Sequence, residues 1–176
     1  MLTLILGGAR SGKSRLAERL ATRAERVCFL ATAQPCDDSE MLARVEQHRA
    51  RRPESWVTVE EPLALADAVD RATAQHDAIL IDCLTVWLGN LFWEHRESEP
   101  GCVLNLVEGE LTRVAASARA CQIILVSNEV GSGTVPEARV ARDFRDVHGL
   151  MNQRAAEVAD EVILTVAGLP LHLKGL

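Results

Sequence analysis

The 176-residue chain carries a net charge of −6, and 48% of it is hydrophobic, with three Phe, three Trp and no Tyr. A chain of this length is one domain of ordinary size; it buries roughly 70% of the surface its unfolded form exposes and needs no disulfide or metal staple. The acidic balance excludes wholesale nucleic-acid binding, which depends on a basic face that displaces counterions. Cys28, Cys36, Cys83, Cys102 and Cys121 are odd in number and contain no CxxC pair. They predict reduced, mostly buried thiols and neither a disulfide frame nor a zinc site. The apolar run at 2–6 is too short for a signal or a membrane span, and no charged segment precedes it. The chain reads as a single soluble, cytoplasmic domain over 1–176 without membrane insertion.

Short apolar runs alternate with longer amphipathic ones. LTLIL (2–6) predicts a buried strand, followed by a glycine-rich loop and a helix from about Lys13 to Ala24. VCFLAT (27–32) predicts a second strand. The segment 37–50 opens with acids and closes with bases, the order a helix dipole favours. WVTVE (56–60) alternates like a strand, and Pro62 opens a helix. AILID (78–82) is an all-apolar strand ending in a carboxylate, and LTVWLGNLFWE continues as a helix. ESEPGC (97–102) reads as a loop, with helices from about 104 to 120 and 136 to 158 on either side of a strand at 122–127. EVILTVAGLPLHLK closes as two strands around a Gly-Leu-Pro turn. Buried strands alternating with helices predict an α/β fold, a mostly parallel sheet covered by helices on both faces, with a C-terminal β-hairpin at its edge.

Gly7-x-x-x-x-Gly12-Lys13-Ser14 fits the P-loop pattern GxxxxGK[ST] at every fixed position, between an apolar strand and a helix. The backbone N–H groups of Gly7, Gly8, Ala9, Arg10, Ser11 and Gly12 are expected to face phosphate oxygens, and the helix N-terminus adds partial positive charge. Lys13 is expected to neutralise the β- and γ-phosphates, and Ser14 to ligate Mg²⁺. Asp82, at the end of a buried strand, is the candidate second anchor for the metal. A strand-end Asp alone is a weak signal; beside a P-loop it gains weight. No NKxD-type guanine-reading motif is present. The motifs by themselves define an Mg²⁺-dependent enzyme that transfers or hydrolyses phosphate.

His48 shares a helical face with Met41 and Val45 and precedes Arg49, Arg51 and Arg52. A histidine at a helix C-terminus is commonly placed there by the dipole alone. The sharper reading is a nucleophile beside an arginine cluster, since imidazole with a pKa of about 6.5 is largely neutral at pH 7. His148, within a long predicted helix, faces either the site or solvent. His76, His95 and His172 form no catalytic pattern.

The stretches GGARSGKSRLAE, ATAQPCDDSEMLARVEQHRARRP, WVTVEEP and LIDCLTVWLGNL, together with SNEVGSGTVPEARVARDFRDVHGLMNQRAAEVADEVILTVAGLPLHLK, span nearly the whole chain. Together they resemble the bifunctional adenosylcobinamide kinase / adenosylcobinamide-phosphate guanylyltransferases of cobalamin biosynthesis. The resemblance implies a RecA-like P-loop fold, a homotrimer, and two reactions. A nucleoside triphosphate, ATP or GTP, phosphorylates adenosylcobinamide. GMP is then transferred from GTP to adenosylcobinamide phosphate through a histidine–GMP intermediate, and the guanylylated histidine falls on His48. Residue by residue, the implied nucleotide site includes Gly7 to Ser14, then Ala31, Thr32 and Ala33, then Arg49, Ala50, Arg51 and Arg52, with Glu60 and Asp82. Some relatives carry Glu at the position of Asp82, so this carboxylate serves either a metal water or a ribose hydroxyl. Asn128, Glu129 and Arg142 or Arg145 are candidates for the corrinoid side; the alternative is that this run seals subunit contacts. Two rivals remain at this point: a plain P-loop small-molecule kinase, which forms no covalent nucleotide, and a RecA-like motor, which needs the basic surface this chain lacks.

Overall fold

The computed structural model describes residues 1–34, 46, 49 and 52–175. In chain order the elements are β1 (Leu2–Gly7), α1 (Lys13–Ala21), β2 (Val27–Ala31), β3 (Val57–Glu60), α2 (Leu65–Thr73) and β4 (Ala78–Asp82). They continue as α3 (Leu84–Glu94), α4 (Pro100–Ser117), β5 (Gln122–Asn128), α5 (Arg139–Val158), β6 (Glu161–Val166) and β7 (Leu169–Lys174). The described strands form one seven-stranded sheet of order β3-β2-β4-β5-β1-β6-β7. All pairings are parallel except β6 with β7, which is the α/β architecture with a terminal hairpin that the sequence predicts.

Period-two alternation divides each central strand between two cores. Leu2, Leu4 and Leu6, with Ile79, Ile81, Ile123 and Leu125, face a large cluster roofed by α2 to α5. Ile5, Leu80, Ile124 and Val126 face a smaller cluster under α1. Trp87 is fully buried in the larger one and donates its indole N–H to Leu63 O at 2.9 Å. Buried aliphatic side chains of this kind each contribute about 1.5–3 kcal/mol.

Several boundaries differ from the sequence reading. The loop expected at 97–102 is shorter, because Pro100 begins α4 after an extended Glu99; proline lacks only an N–H that the first helical turn leaves unpaired anyway. Helix α1 ends at Ala21 rather than Ala24, and the N–H groups of Arg23 and Ala24 close tighter turns on Leu20 O and Ala21 O. Helix α2 begins at Leu65 rather than Pro62, since Glu61 Oε1 accepts the N–H groups of Leu63 and Ala64 and holds a turn there. The hairpin turn is Ala167-Gly168, with φ of 51° and 82°, and not Gly-Leu-Pro. Two left-handed residues match the twist of the flanking strands, and Pro170 sits in the edge strand β7, where no ladder partner is lost.

Of the helix expected at 37–50 only Glu46 and Arg49 are described, both helical. Cys28, Cys83 and Cys121 are buried free thiols and Cys102 is exposed; burial pushes the Cys28 and Cys83 thiols up to about 11. Cys36 lies outside the described residues. No described helix is long and apolar enough to cross a membrane.

Candidate active site

The parallel register brings the strand ends to one edge. Gly7 lies opposite Asn128 and Thr165, Ala31 opposite Glu60 and Asp82, and Asp82 opposite Val126. Ligands of open α/β sheets bind outside this carboxyl edge. Strand β5 intervenes between β1 and β4, so Asp82 stands two strand spacings, about 10 Å, from the strand of Gly7.

The loop is shaped by glycines at two demanding places. A Cβ on Gly7 would lie 2.4 Å from Ser11 Oγ and 2.6 Å from Thr165 O, so the loop closes only without one. Gly12 adopts φ of 98°, a region L-residues avoid. Arg10 is also left-handed, at 56°. Ser11 N–H closes the turn onto Gly8 O at 3.2 Å, and Lys13 Nζ reaches back to the same carbonyl at 3.2 Å, placing the ammonium over the loop. Helix α1 starts with no side-chain cap and no acid in its first turn. Its first N–H groups receive no side-chain cap, and its positive dipole end is of the kind that favours an anion. The turn of the β6–β7 hairpin braces the loop from outside: Gly168 N–H donates to Ser11 O at 2.8 Å.

Thr165 Oγ1 and Ser11 Oγ are buried beside this brace without a hydrogen-bond partner. An unpaired buried hydroxyl opposes folding, and a same-shaped apolar group removes that cost. Thr165→Val is therefore expected to raise unfolding free energy by about 1 kcal/mol. Urea denaturation of the two proteins checks it, and a destabilised variant would show that the hydroxyl is paired.

Half-buried Asp82 ends β4, and α3 begins two residues later. Thr32 is fully buried, its hydroxyl donating to Cys83 O at 2.8 Å and accepting Cys83 N–H at 3.0 Å. Its side chain ties β2 to the β4–α3 junction, and its carbonyl accepts from Asn90 Nδ2 at 2.7 Å. Farther along the edge, Arg49 pairs with Glu60 at 2.8 Å, both about half exposed, a geometry worth about 0.2–1 kcal/mol. Arg52 stacks over the Phe29 ring at 3.7 Å. His48, Ala50 and Arg51 lie outside the described residues. The structure thus brings Gly7 to Ser14 and Asp82 together and groups Arg49, Arg52 and Glu60 separately. Glu60 and Gly7 stand at strands β3 and β1, four spacings or about 19 Å apart at the sheet, with Ala31, Thr32 and Ala33 between them on the β2 end.

Sequence reasoning left His148 undecided and passed over Thr85, Ser127 and Asn152. His148 is 1% exposed, with Nε2 3.0 Å from Thr85 Oγ1. Burial lowers its pKa to about 4. An unfolded imidazole protonates near 6.5 while the folded one resists, so this stabilisation is complete above pH 6.5 and is lost as pH falls toward 4. The loss amounts to about 3 kcal/mol. Unfolding free energies at pH 7 and pH 4.5 are expected to differ less in His148→Gln than in the parent; equal differences would refute this account.

A family model described as cobinamide kinase / cobinamide phosphate guanyltransferase matches residues 3–173. The chain belongs to this family. Cobinamide kinase / cobinamide phosphate guanyltransferases combine a phosphotransferase and a nucleotidyltransferase in one chain, and this protein is such an enzyme. It is 47% identical over 180 residues to the bifunctional adenosylcobalamin biosynthesis protein CobP of Pseudomonas aeruginosa, covering 99% of this chain and 98% of that one. It is 41% and 39% identical to the bifunctional adenosylcobalamin biosynthesis proteins CobU of Salmonella typhimurium and Escherichia coli, covering 99% of this chain and all of each relative. Among solved structures it is similar to an ATPase from the type III secretion system of pathogenic bacteria, with a TM-score of 0.61 at 14% identity. That alignment covers 97% of this chain and 56% of the ATPase chain. At this identity the likeness concerns the fold alone.

Proposed function

We propose that this enzyme phosphorylates the aminopropanol hydroxyl of adenosylcobinamide with ATP or GTP, and then transfers GMP from GTP to adenosylcobinamide phosphate. The products of the second step are adenosylcobinamide-GDP and pyrophosphate. One observation carries the reading: in a chain of this family, an uncapped helix N-terminus behind the GxxxxGKS loop faces Asp82 across β5.

Phosphoryl transfer asks the protein mainly for positioning and charge neutralisation. The loop amides and Lys13 hold the β- and γ-phosphates. Ser14 and Asp82 offer a hydroxyl and a carboxylate, hard oxygen donors suited to Mg²⁺ bound chiefly through phosphates and water. When bound, Mg²⁺ supplies neutralisation of the charge shared by the β- and γ-oxygens. In the second reaction a neutral His48 nitrogen attacks the α-phosphorus of GTP, forming an N–P bond as pyrophosphate leaves. A phosphate oxygen of adenosylcobinamide phosphate then attacks the same phosphorus and releases His48. Arg49, Arg51 and Arg52 balance the charge on GTP and on departing pyrophosphate, and Glu60 orients Arg49. Ala31, Thr32 and Ala33 shape the nucleotide's path along the edge, Thr32 through its grip on Cys83.

Of the two arginines considered for the corrinoid, Arg142 donates to Pro136 O and Glu137 O. Arg145, paired with Asp146 at 2.8 Å, lines an open groove of about 440 Å³ with Asp146, Gly131, Gly149 and Gln153, beyond the β5 end that carries Asn128 and Glu129. We assign the corrinoid to this groove. The exposed apolar row Leu169, Leu171 and Leu173 on β7 supports burial against another copy of the chain, since isolated edge strands rarely leave such rows uncovered, and the homotrimer is the assembly that the resemblance implies. The working place of the enzyme is the cytoplasm.

Incubation with GTP, Mg²⁺ and adenosylcobinamide, with products identified by mass, tests the reading. Adenosylcobinamide phosphate is expected first and adenosylcobinamide-GDP second. Absence of either product removes the corresponding step.

A further inference from the structure

The carboxyl edge is cross-linked by buried polar side chains outside the phosphate loop. Thr85, in the first turn of α3, accepts Asn128 N–H at 2.9 Å, and its hydroxyl lies 3.0 Å from His148 Nε2 on α5, within hydrogen-bond distance. One turn farther along α5, Asn152 Oδ1 accepts from Ser127 Oγ at 2.7 Å. Asn152 Nδ2 donates to Asn128 O at 3.0 Å and to Glu129 Oε1 at 3.2 Å. Glu129 N–H in turn donates to Gly7 O at 3.1 Å, so this strand end touches the first residue of the phosphate loop. Residues 127–129 are therefore gripped from two helices while standing beside the loop. Because β5 separates β1 from β4, they also stand between the loop and Asp82.

We propose that Thr85, His148 and Asn152 are positioning residues for both transfer steps, holding Asn128 and Glu129 at the phosphate site between the P-loop and Asp82. This rests on the function proposed above. The chemistry of the network fits the task. A neutral imidazole offers one ring nitrogen as an acceptor, and Thr85 has one proton to give. Phe144 lies against His148, with ring centroids 5.7 Å apart, and Phe92 meets Phe144 edge-on at 5.4 Å. This apolar wall shields the bonds from water and strengthens them. Residues 85, 128, 148 and 152 come from three elements, so the network fixes one relative placement of α3, β5 and α5. Fixed placement of this kind matters most where reacting atoms must be aligned.

The test compares Thr85→Val, which keeps the shape and deletes the hydroxyl, with Thr85→Ser, which keeps the hydroxyl. Thr85→Val is expected to lower kcat of both steps about tenfold or more with nucleotide KM within about twofold, and Thr85→Ser to restore most of it. Rates are referred to folded protein, well below each variant's Tm. His148→Phe keeps the ring packing and is expected to show the same split, which covers the case in which Thr85→Val does not fold. In nitrogen-15 spectra of the parent, His148 Nε2 is expected to read as unprotonated from pH 6 to 8 and to shift in Thr85→Val. Parent-like kcat in Thr85→Val or His148→Phe, alongside an active parent, overturns this proposal alone. A parent that makes neither product overturns the proposed function as well.

Discussion

Lys13→Ala is expected to lower kcat/KM of the kinase step by about 10²–10³-fold, the usual effect of deleting one preorganised donor from a charge-developing site. The ammonium lies over the loop, 3.2 Å from Gly8 O, at the opening of a helix with no cap of its own. In the proposed mechanism it is the compact point charge that meets the β- and γ-phosphates at the loop amides. Its loss leaves the amides and the dipole in place, so nucleotide binding is expected to weaken less than turnover. Guanylyl transfer is expected to fall too. Lys13→Arg is not a rescue, because a bulky, planar, delocalised guanidinium does not reproduce a compact point charge within this turn. A coupled assay of nucleoside diphosphate release checks the first step. Full kinase activity in Lys13→Ala would remove the P-loop from the mechanism.

His48→Ala is expected to abolish covalent labelling by GTP tagged at the α-phosphate while leaving the kinase rate within a factor of about three. The parent's label is expected to be acid-labile, as an N–P bond is, and stable to mild base. The asymmetry follows from the proposed mechanism: the kinase step would pass the γ-phosphoryl directly to an alcohol, whereas guanylyl transfer would be divided into two displacements by a nucleophile. The same experiment separates the bifunctional reading from a plain P-loop kinase, which forms no covalent nucleotide at all. Label that persists in His48→Ala would move the nucleophile elsewhere.

Much of the fold was legible because its signals are local. Leu2, Leu4, Leu6 and Ile5 encode a strand buried on both faces, and GxxxxGKS encodes the turn that follows, since only glycine tolerates Ser11 Oγ and Thr165 O so near Gly7. The start of α4 was misread for a related reason. Glu99-Pro100-Gly101 carries the composition of a loop, yet proline at the first helical position breaks nothing. The hairpin was visible, but its turn fell one step earlier than expected, at Ala167-Gly168, because strand twist favours two successive left-handed residues there.

The site was legible as a set of residue types and less so as an arrangement. Thr32 reads as one more small residue near a nucleotide, and only in the fold is its hydroxyl seen to be engaged twice by Cys83. His148 stands next to a glycine in an amphipathic helix and gives no sign of direction; its depressed pKa exists only because α5 packs it inside. Arg142 and Arg145 are equivalent by spacing, and backbone carbonyls of residues 136 and 137 distinguish them.

By itself the sequence determined the family and the fold class, and offered the candidate residues for the chemistry: a phosphate loop, a carboxylate at a strand end, a histidine followed by arginines, and the hydrophobic period that makes an α/β sheet. These are properties of neighbours along the chain, and short-range sterics and burial suffice to write them. Only the tertiary structure decided that β5 lies between Gly7 and Asp82, that the hairpin tip braces the loop, and that Thr85, His148 and Asn152 converge on Asn128. The Thr85–His148 bond joins residues 63 positions apart, and no periodicity in either helix records it. Such contacts depend on which faces of the sheet are covered and in what strand order, a global solution to burying apolar surface and pairing every buried polar group at once.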